Sequence, residues 1–67
     1  MSVARVTEIS SSSKKSFNHA VKKGIKRANS SLRNVTGAWV ADQELTCKNG
    51  EVTSYRVKMK VTFILDD

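Results

Sequence analysis

Phe17, Ala20, Val21, Gly24, Ile25, Ala28 and Leu32 recur at i, i+3, i+4, i+7, i+8, i+11 and i+15, which is one continuous face of a helix. Lys22, Lys23, Lys26, Arg27 and Arg33 lie off that stripe. This is the clearest signal in the chain. It constrains the fold because a single helix must cover its apolar face with something other than itself. Gly24 sits inside the stripe, where glycine weakens a helix by up to ~1 kcal/mol relative to alanine. A bare position there predicts close approach to a sheet. The serine run Ser10–Ser13 is expected to make the turn into the helix, with Ser13 as the N-cap whose hydroxyl accepts from a free backbone N–H. Asn34 is expected to end it.

The covering sheet is legible on both sides of the helix. Residues 3–9, "VARVTEI", are rich in β-branched residues and read as a first strand. Downstream, Asn49–Gly50 is the favoured two-residue type I′ turn and is flanked by alternating segments. Without a bulge, cross-strand pairs sum to 99: Val40 opposes Met59, Ala38 opposes Val61, Trp39 opposes Lys60, Asp42 opposes Val57, Ala41 opposes Lys58, Gln43 opposes Arg56, and Leu45 opposes Ser54. Ala38, Val40, Tyr55, Val57, Met59, Val61, Phe63 and Leu65 then share the helix side. Trp39, Gln43, Arg56, Lys58, Lys60 and Thr62 share the other side, with Leu45 and Ile64. The result is an α+β, β-α-β-β domain over residues 1–67. Its three-stranded antiparallel sheet has order 1-3-2, because the third strand inserts most easily between the two that flank the helix.

At 67 residues a chain buries only about 60% of its unfolded surface, and such domains usually add disulfides, a metal or oligomerisation. Cys47 and His19 are the only cysteine and histidine, so an intramolecular bridge and the usual zinc sites are excluded. Oligomerisation is left, and a second sheet face bearing Trp39, Leu45 and Ile64 beside cations suits a subunit of an assembly. The opening "MSVARVTEIS" has no apolar signal core, and no run reaches the ~18 apolar residues of a membrane span. With a lone thiol, this points to the cytoplasm and away from membranes.

Twelve Lys+Arg against six Asp+Glu give +6, a balance that suits nucleic acid or phosphorylated small molecules. The helix cations read as a solvated face, because no base-stacking aromatics interleave with them. A sheet with one tryptophan lacks the paired aromatics of an RNA-binding platform, so nucleic acid is not the favoured partner. His19 reads as a surface or interface residue, Cys47 as a partly exposed thiol with no assignable base, and Asp66–Asp67 as a frayed tail. No Ser/His/Asp or Cys/His set, paired inward carboxylates or phosphate-cradling glycine loop can be placed. The chain reads as a non-enzyme.

The order of elements, "VARVTEI", the serine-rich turn into "SFNHAVKKGIKRA", then "LRNV", and the ending "YRVKMKVTFILDD" together resemble the dodecins. These are small bacterial and archaeal β-α-β-β proteins that assemble as hollow spherical dodecamers. The resemblance spans nearly all of the chain. It implies a homododecamer that stores flavin (riboflavin, FMN or FAD) in pairs between subunits, with a second-strand tryptophan stacking on each ring and a third-strand glutamine on its polar edge. Aligned from "LRNV" through "YRV", those two positions fall on Gly37 and Arg56, while Asp42 matches an aspartate that some members place near the ribityl chain. Trp39 keeps the face of the family's tryptophan but lies roughly 6.6 Å further along the strand.

The ligand set expected on this basis is Trp39 for stacking, Asp42, Gln43 and Arg56 for polar contacts, and Lys58 or Lys60 for a phosphate. The alternatives are a structural or interaction oligomer of the same fold without a flavin site, with Trp39 as an interface anchor capped by Lys60, and a basic nucleic-acid-binding module. Cation binding belongs with the first alternative, since some dodecins lacking the tryptophan bind calcium.

Overall fold

In a computed structural model, residues 3–65 are described. They form β1 (Ala4–Ser13), α1 (Phe17–Ser31), β2 (Val35–Lys48) and β3 (Glu51–Ile64). The sheet order is β1-β3-β2, and both pairings are antiparallel, as the connection lengths predict. Asp66 and Asp67 lie outside the described residues.

The first difference from the sequence reading lies in the serine run. Ser10–Ser13 is strand, not turn: Ser10 pairs with Lys58, Ser11 with Val57, Ser12 with Arg56 and Ser13 with Tyr55. The long third strand offers ladder partners that outweigh the local turn preference of serine. Ser16 is therefore the N-cap, its hydroxyl accepting from the His19 amide at 3.0 Å. Ser13 ties down the same corner, accepting from the Lys15 amide and bonding the His19 ring at 2.6 Å. The helix also stops before Asn34. Leu32 is its C-cap and donates to the Ala28 carbonyl at 2.8 Å. Asn34 follows in a left-handed conformation (φ 61°) and is pinned to the far end of β3 through Ile64.

The core is small. Ala20, Val57 and Met59 are buried together, with Ile9, Phe17, Val21 and Ile25 packed around them. The ring of Phe17 meets Tyr55 edge-on at 5.1 Å. The close approach expected at Gly24 is present. A Cβ there would lie 2.6 Å from the Met59 Cε and 2.9 Å from the Ser11 Cβ, so glycine in the helix faces serine in the strand.

The helix lies over β1 and β3, not over the whole sheet. Along β2 only Val35 is half-buried and every later residue is exposed. Ala38 and Val40 do stand across from Val61 and Met59, but α1 does not cover them. Leu65 is likewise exposed instead of packed beneath α1. A 15-residue helix is about 22 Å long, whereas the molecule extends 52 Å along its principal axis. The distal hairpin therefore projects beyond the helix as an arm.

The turn itself is type I′, with φ of 53° at Asn49 and 79° at Gly50. The ladder behind it is not regular. Register shifts occur between Thr46 and Cys47, between Val40 and Asp42, and between Val35 and Gly37. Trp39–Lys60, Val40–Met59 and Ala38–Val61 pair as the sequence predicts. Between the first two shifts the partners move by one: Asp42 opposes Lys58, Gln43 opposes Val57, Glu44 opposes Arg56 and Leu45 opposes Tyr55. Asp42–Val57, Ala41–Lys58, Gln43–Arg56 and Leu45–Ser54 are not formed. The physical reason is a pair of compensating bulges, which leave Thr53 and Ala41 as extra residues on opposite strands.

Candidate functional site

The face of the sheet away from α1 is built on the alternation of β3. Arg56, Lys58, Lys60 and Thr62 point to this side because Val57, Met59 and Val61 are buried under the helix. Residues directly opposed in an antiparallel ladder share a face. Each cation therefore stands in a row across the three strands: Ser12, Arg56 and Glu44; Ser10, Lys58 and Asp42; Glu8, Lys60 and Trp39.

The bulge at Ala41 creates this arrangement. It returns Asp42 and Glu44 to the cationic side and turns Gln43 and Leu45 to the side of Val57 and Tyr55. Gln43, expected beside Trp39, is thus on the opposite face within one protomer. Asp42, whose expected pairing put it under the helix, is brought to the face that carries Trp39. Glu44 and Glu8 are the participants the sequence reading missed. The charge pattern could have revealed them, since Asp42–Lys58 and Glu44–Arg56 place opposite charges across the ladder where an unbulged register does not.

The rows differ in their contacts. The Arg56 Nη1 donates to the Glu44 Oε1 at 3.0 Å, and its Nε reaches the Ser12 Oγ at 3.5 Å. Arg56 is thereby held across all three strands. The Lys60 Nζ lies 5.9 Å from the Trp39 ring centroid, within cation–π range. Trp39 is 50% exposed, and nothing stands within 4 Å of where a Cβ on Gly37 would be. The face therefore offers a flat aromatic ring beside open space, on the same side of the sheet as three cations and three carboxylates. Charge is nearly balanced here, so the excess of +6 does not originate on this side.

A second feature lies on the helix side. Because β2 extends past α1, Val21, Ile25, Val35, Ala38, Val40 and Met59 line an open groove of about 340 Å³, whose edge along β2 also takes in Thr36, Gly37 and Trp39. It is apolar, and no part of the chain among the described residues fills it. Among those residues there is also no group of three or more His, Cys, Asp or Glu placed to hold a metal, and no helix long and apolar enough to cross a membrane. Cys47 is exposed near the hairpin tip.

Comparison with known proteins identifies the fold. A family model described as Dodecin matches residues 3–66. A dodecin from Streptomyces davaonensis superposes with a TM-score of 0.93 at 32% identity, covering 98% of this chain and 97% of that one. A dodecin from Streptomyces coelicolor gives 0.93 at 27% identity, covering 98% and 94%. The crystal structure of a T. thermophilus dodecin mutant gives 0.93 over 100% of both chains, at 24% identity. No curated protein matches.

Proposed function

The chain belongs to the dodecin family, and on that premise we propose that it is a homo-oligomeric, dodecamer-forming storage protein of the cytoplasm that binds a small aromatic or phosphorylated cofactor without catalysing a reaction. Flavin is the first candidate, as riboflavin, FMN or FAD. The observation that carries this reading is Trp39: it is half-exposed on the sheet face away from the helix, with open space at Gly37 and Lys60 alongside. An aromatic ring left this open suits offset stacking on a planar ligand. Displacing the Lys60 ammonium from the ring would free that face and leave Lys60 and Lys58 to meet a phosphate. Asp42, across from Lys58, would accept from ligand hydroxyls. Arg56 is held by Glu44 and Ser12 and would present its remaining N–H groups to a polar edge. Gln43 has no part in this reading, since it pairs on the other face.

A flavin fits these residues in kind: it brings a planar ring to be stacked and, in FMN and FAD, phosphate to be neutralised. Titration of riboflavin, FMN and FAD with the purified protein tests the proposal through quenching of flavin fluorescence. Saturable quenching near one flavin per subunit is expected, and Trp39→Ala should abolish it while the assembly keeps its size.

A second reading has its own observation. The apolar groove between α1 and β2 predicts subunit contact whether or not a ligand binds. If Trp39→Ala dissociates the assembly and wild type quenches no flavin, the chain is a dodecin-type shell in which Trp39 anchors subunits.

A further inference from the structure

The charge of this protein is segregated. The six acids are Glu8, Asp42, Glu44, Glu51, Asp66 and Asp67, so none lies between Ile9 and Ala41, whereas seven of the twelve lysines and arginines do. On the sheet face, carboxylates stand across the ladder from cations. On α1 there is no carboxylate at all. The outer side of the helix presents Lys22, Lys23, Lys26 and Arg27 around one shallow depression, with His19 at its edge. Two parallel rows result, Lys22 with Lys26 and Lys23 with Arg27, each spaced about 6 Å along the helix axis.

Intramolecular contacts take up little of this charge. The Lys23 amine bonds the Ser12 carbonyl at 3.1 Å, and the Arg27 Nη1 bonds the hydroxyls of Ser30 and Ser31. All these acceptors are neutral. Lys22 and Lys26 make no hydrogen bond or ion pair among the described residues.

We propose that the outer face of α1 is a docking surface for duplex nucleic acid, held through its phosphates and without sequence selectivity. Four like charges within two helical turns repel one another, and a partner with closely spaced anions relieves this. A phosphate backbone carries one charge per about 3.4 Å of each strand and meets several of these cations at once. Apart from the His19 imidazole at the edge, which is tied to Ser13 at 2.6 Å, the helix exposes no aromatic side chain on this side, so stacked single-stranded bases have no platform. Its apolar stripe is packed on the sheet, so it lacks the buried face with which an amphipathic helix enters a lipid surface. Lysine is depleted from the cores of protein interfaces, which argues against a second copy of this chain as the occupant. The surface shares no residue with the Trp39 face, and the proposal stands or falls independently of cofactor binding.

Fluorescence anisotropy of the full-length protein with a labelled DNA duplex of about 20 base pairs tests it, over about 50 to 200 mM salt. With four phosphate contacts the affinity should fall roughly 100-fold across that range. Lys22→Gln/Lys26→Gln should weaken binding about tenfold or more and reduce the salt slope by about 2. Arg5→Gln/Lys48→Gln removes the same net charge elsewhere and should leave affinity within a factor of about two of wild type, being outside the patch. Equal losses in the two double variants would overturn the proposal, since net charge and not this face would then be responsible. So would absence of binding at the lowest salt, or association with phosphatidylserine vesicles by a protein that ignores the duplex. Circular dichroism and size-exclusion profiles matching wild type tie any loss to the surface and not to unfolding.

Discussion

Gly24 and Ser11 set how closely the helix approaches the sheet. The Met59 methyl is the far end of a flexible side chain and can retreat from an added Cβ. The Ser11 Cβ, at 2.9 Å, is fixed to the strand backbone and cannot. Gly24→Ala would gain up to ~1 kcal/mol of helix propensity, against roughly 1–3 kcal/mol for overpacking. A net loss of up to about 2 kcal/mol is expected in urea unfolding at fixed protein concentration. Ser11→Gly, combined with Gly24→Ala, should recover part of it as non-additivity between neighbours. A Gly24→Ala protein more stable than wild type would show that the sheet yields at this point. By the same residue-level logic the Arg56–Glu44 pair, with both side chains about half exposed, contributes little to stability. Its consequence is positional, since it fixes the guanidinium beside the face that carries Trp39.

Among the elements, the β2–β3 hairpin decides which side chains face a ligand, and one unpaired residue decides the hairpin. Deleting Ala41 leaves Val40 and Asp42 adjacent, already opposed by Met59 and Lys58, so alternation becomes regular with every face preserved. Deleting Gln43 instead keeps Glu44 opposite Arg56 but moves Asp42 across from Val57, on the helix side. The first deletion should shift the urea midpoint little. The second should also leave it little changed, because β2 is exposed along this stretch, but by taking Asp42 off the face that carries Trp39 it should weaken flavin binding in the fluorescence titration. Equal flavin affinity in the two deletions would mean that the bulge is incidental. This contrast also shows how far the sequence could be read. The helix stripe, the Asn49–Gly50 turn and the 1-3-2 order were legible because each rests on a local period or a connection rule. The paired bulges were not, because nothing in "WVADQEL" marks which residue is skipped until charges are matched across strands. The serine strand was illegible for a related reason: its conformation is imposed by β3, against local preference.

The whole molecule is an incomplete body. Its helix spans less than half of the 52 Å long axis. Val40 is 41% exposed and Leu45 48% exposed, and the groove beside Val21 and Ile25 is apolar and open. For a chain of 67 residues this leaves too little burial for comfortable stability as a monomer, and covering the groove with another copy would supply the deficit. Stability should then depend on concentration, because association stabilises the folded chain by mass action. Wild type is expected to elute as a large assembly whose Tm rises on concentration. Val40→Lys places a charge in the groove while leaving the described core of Ala20, Val57 and Met59 untouched. It should yield a species near the 7.4 kDa of one chain, with a lower Tm that no longer depends on concentration. Light scattering coupled to size exclusion separates this from aggregation. If Val40→Lys retains the wild-type mass and melting curve, subunits do not meet through this groove. The exposed arm, with Leu45 and Val52, would then be the surface that brings them together.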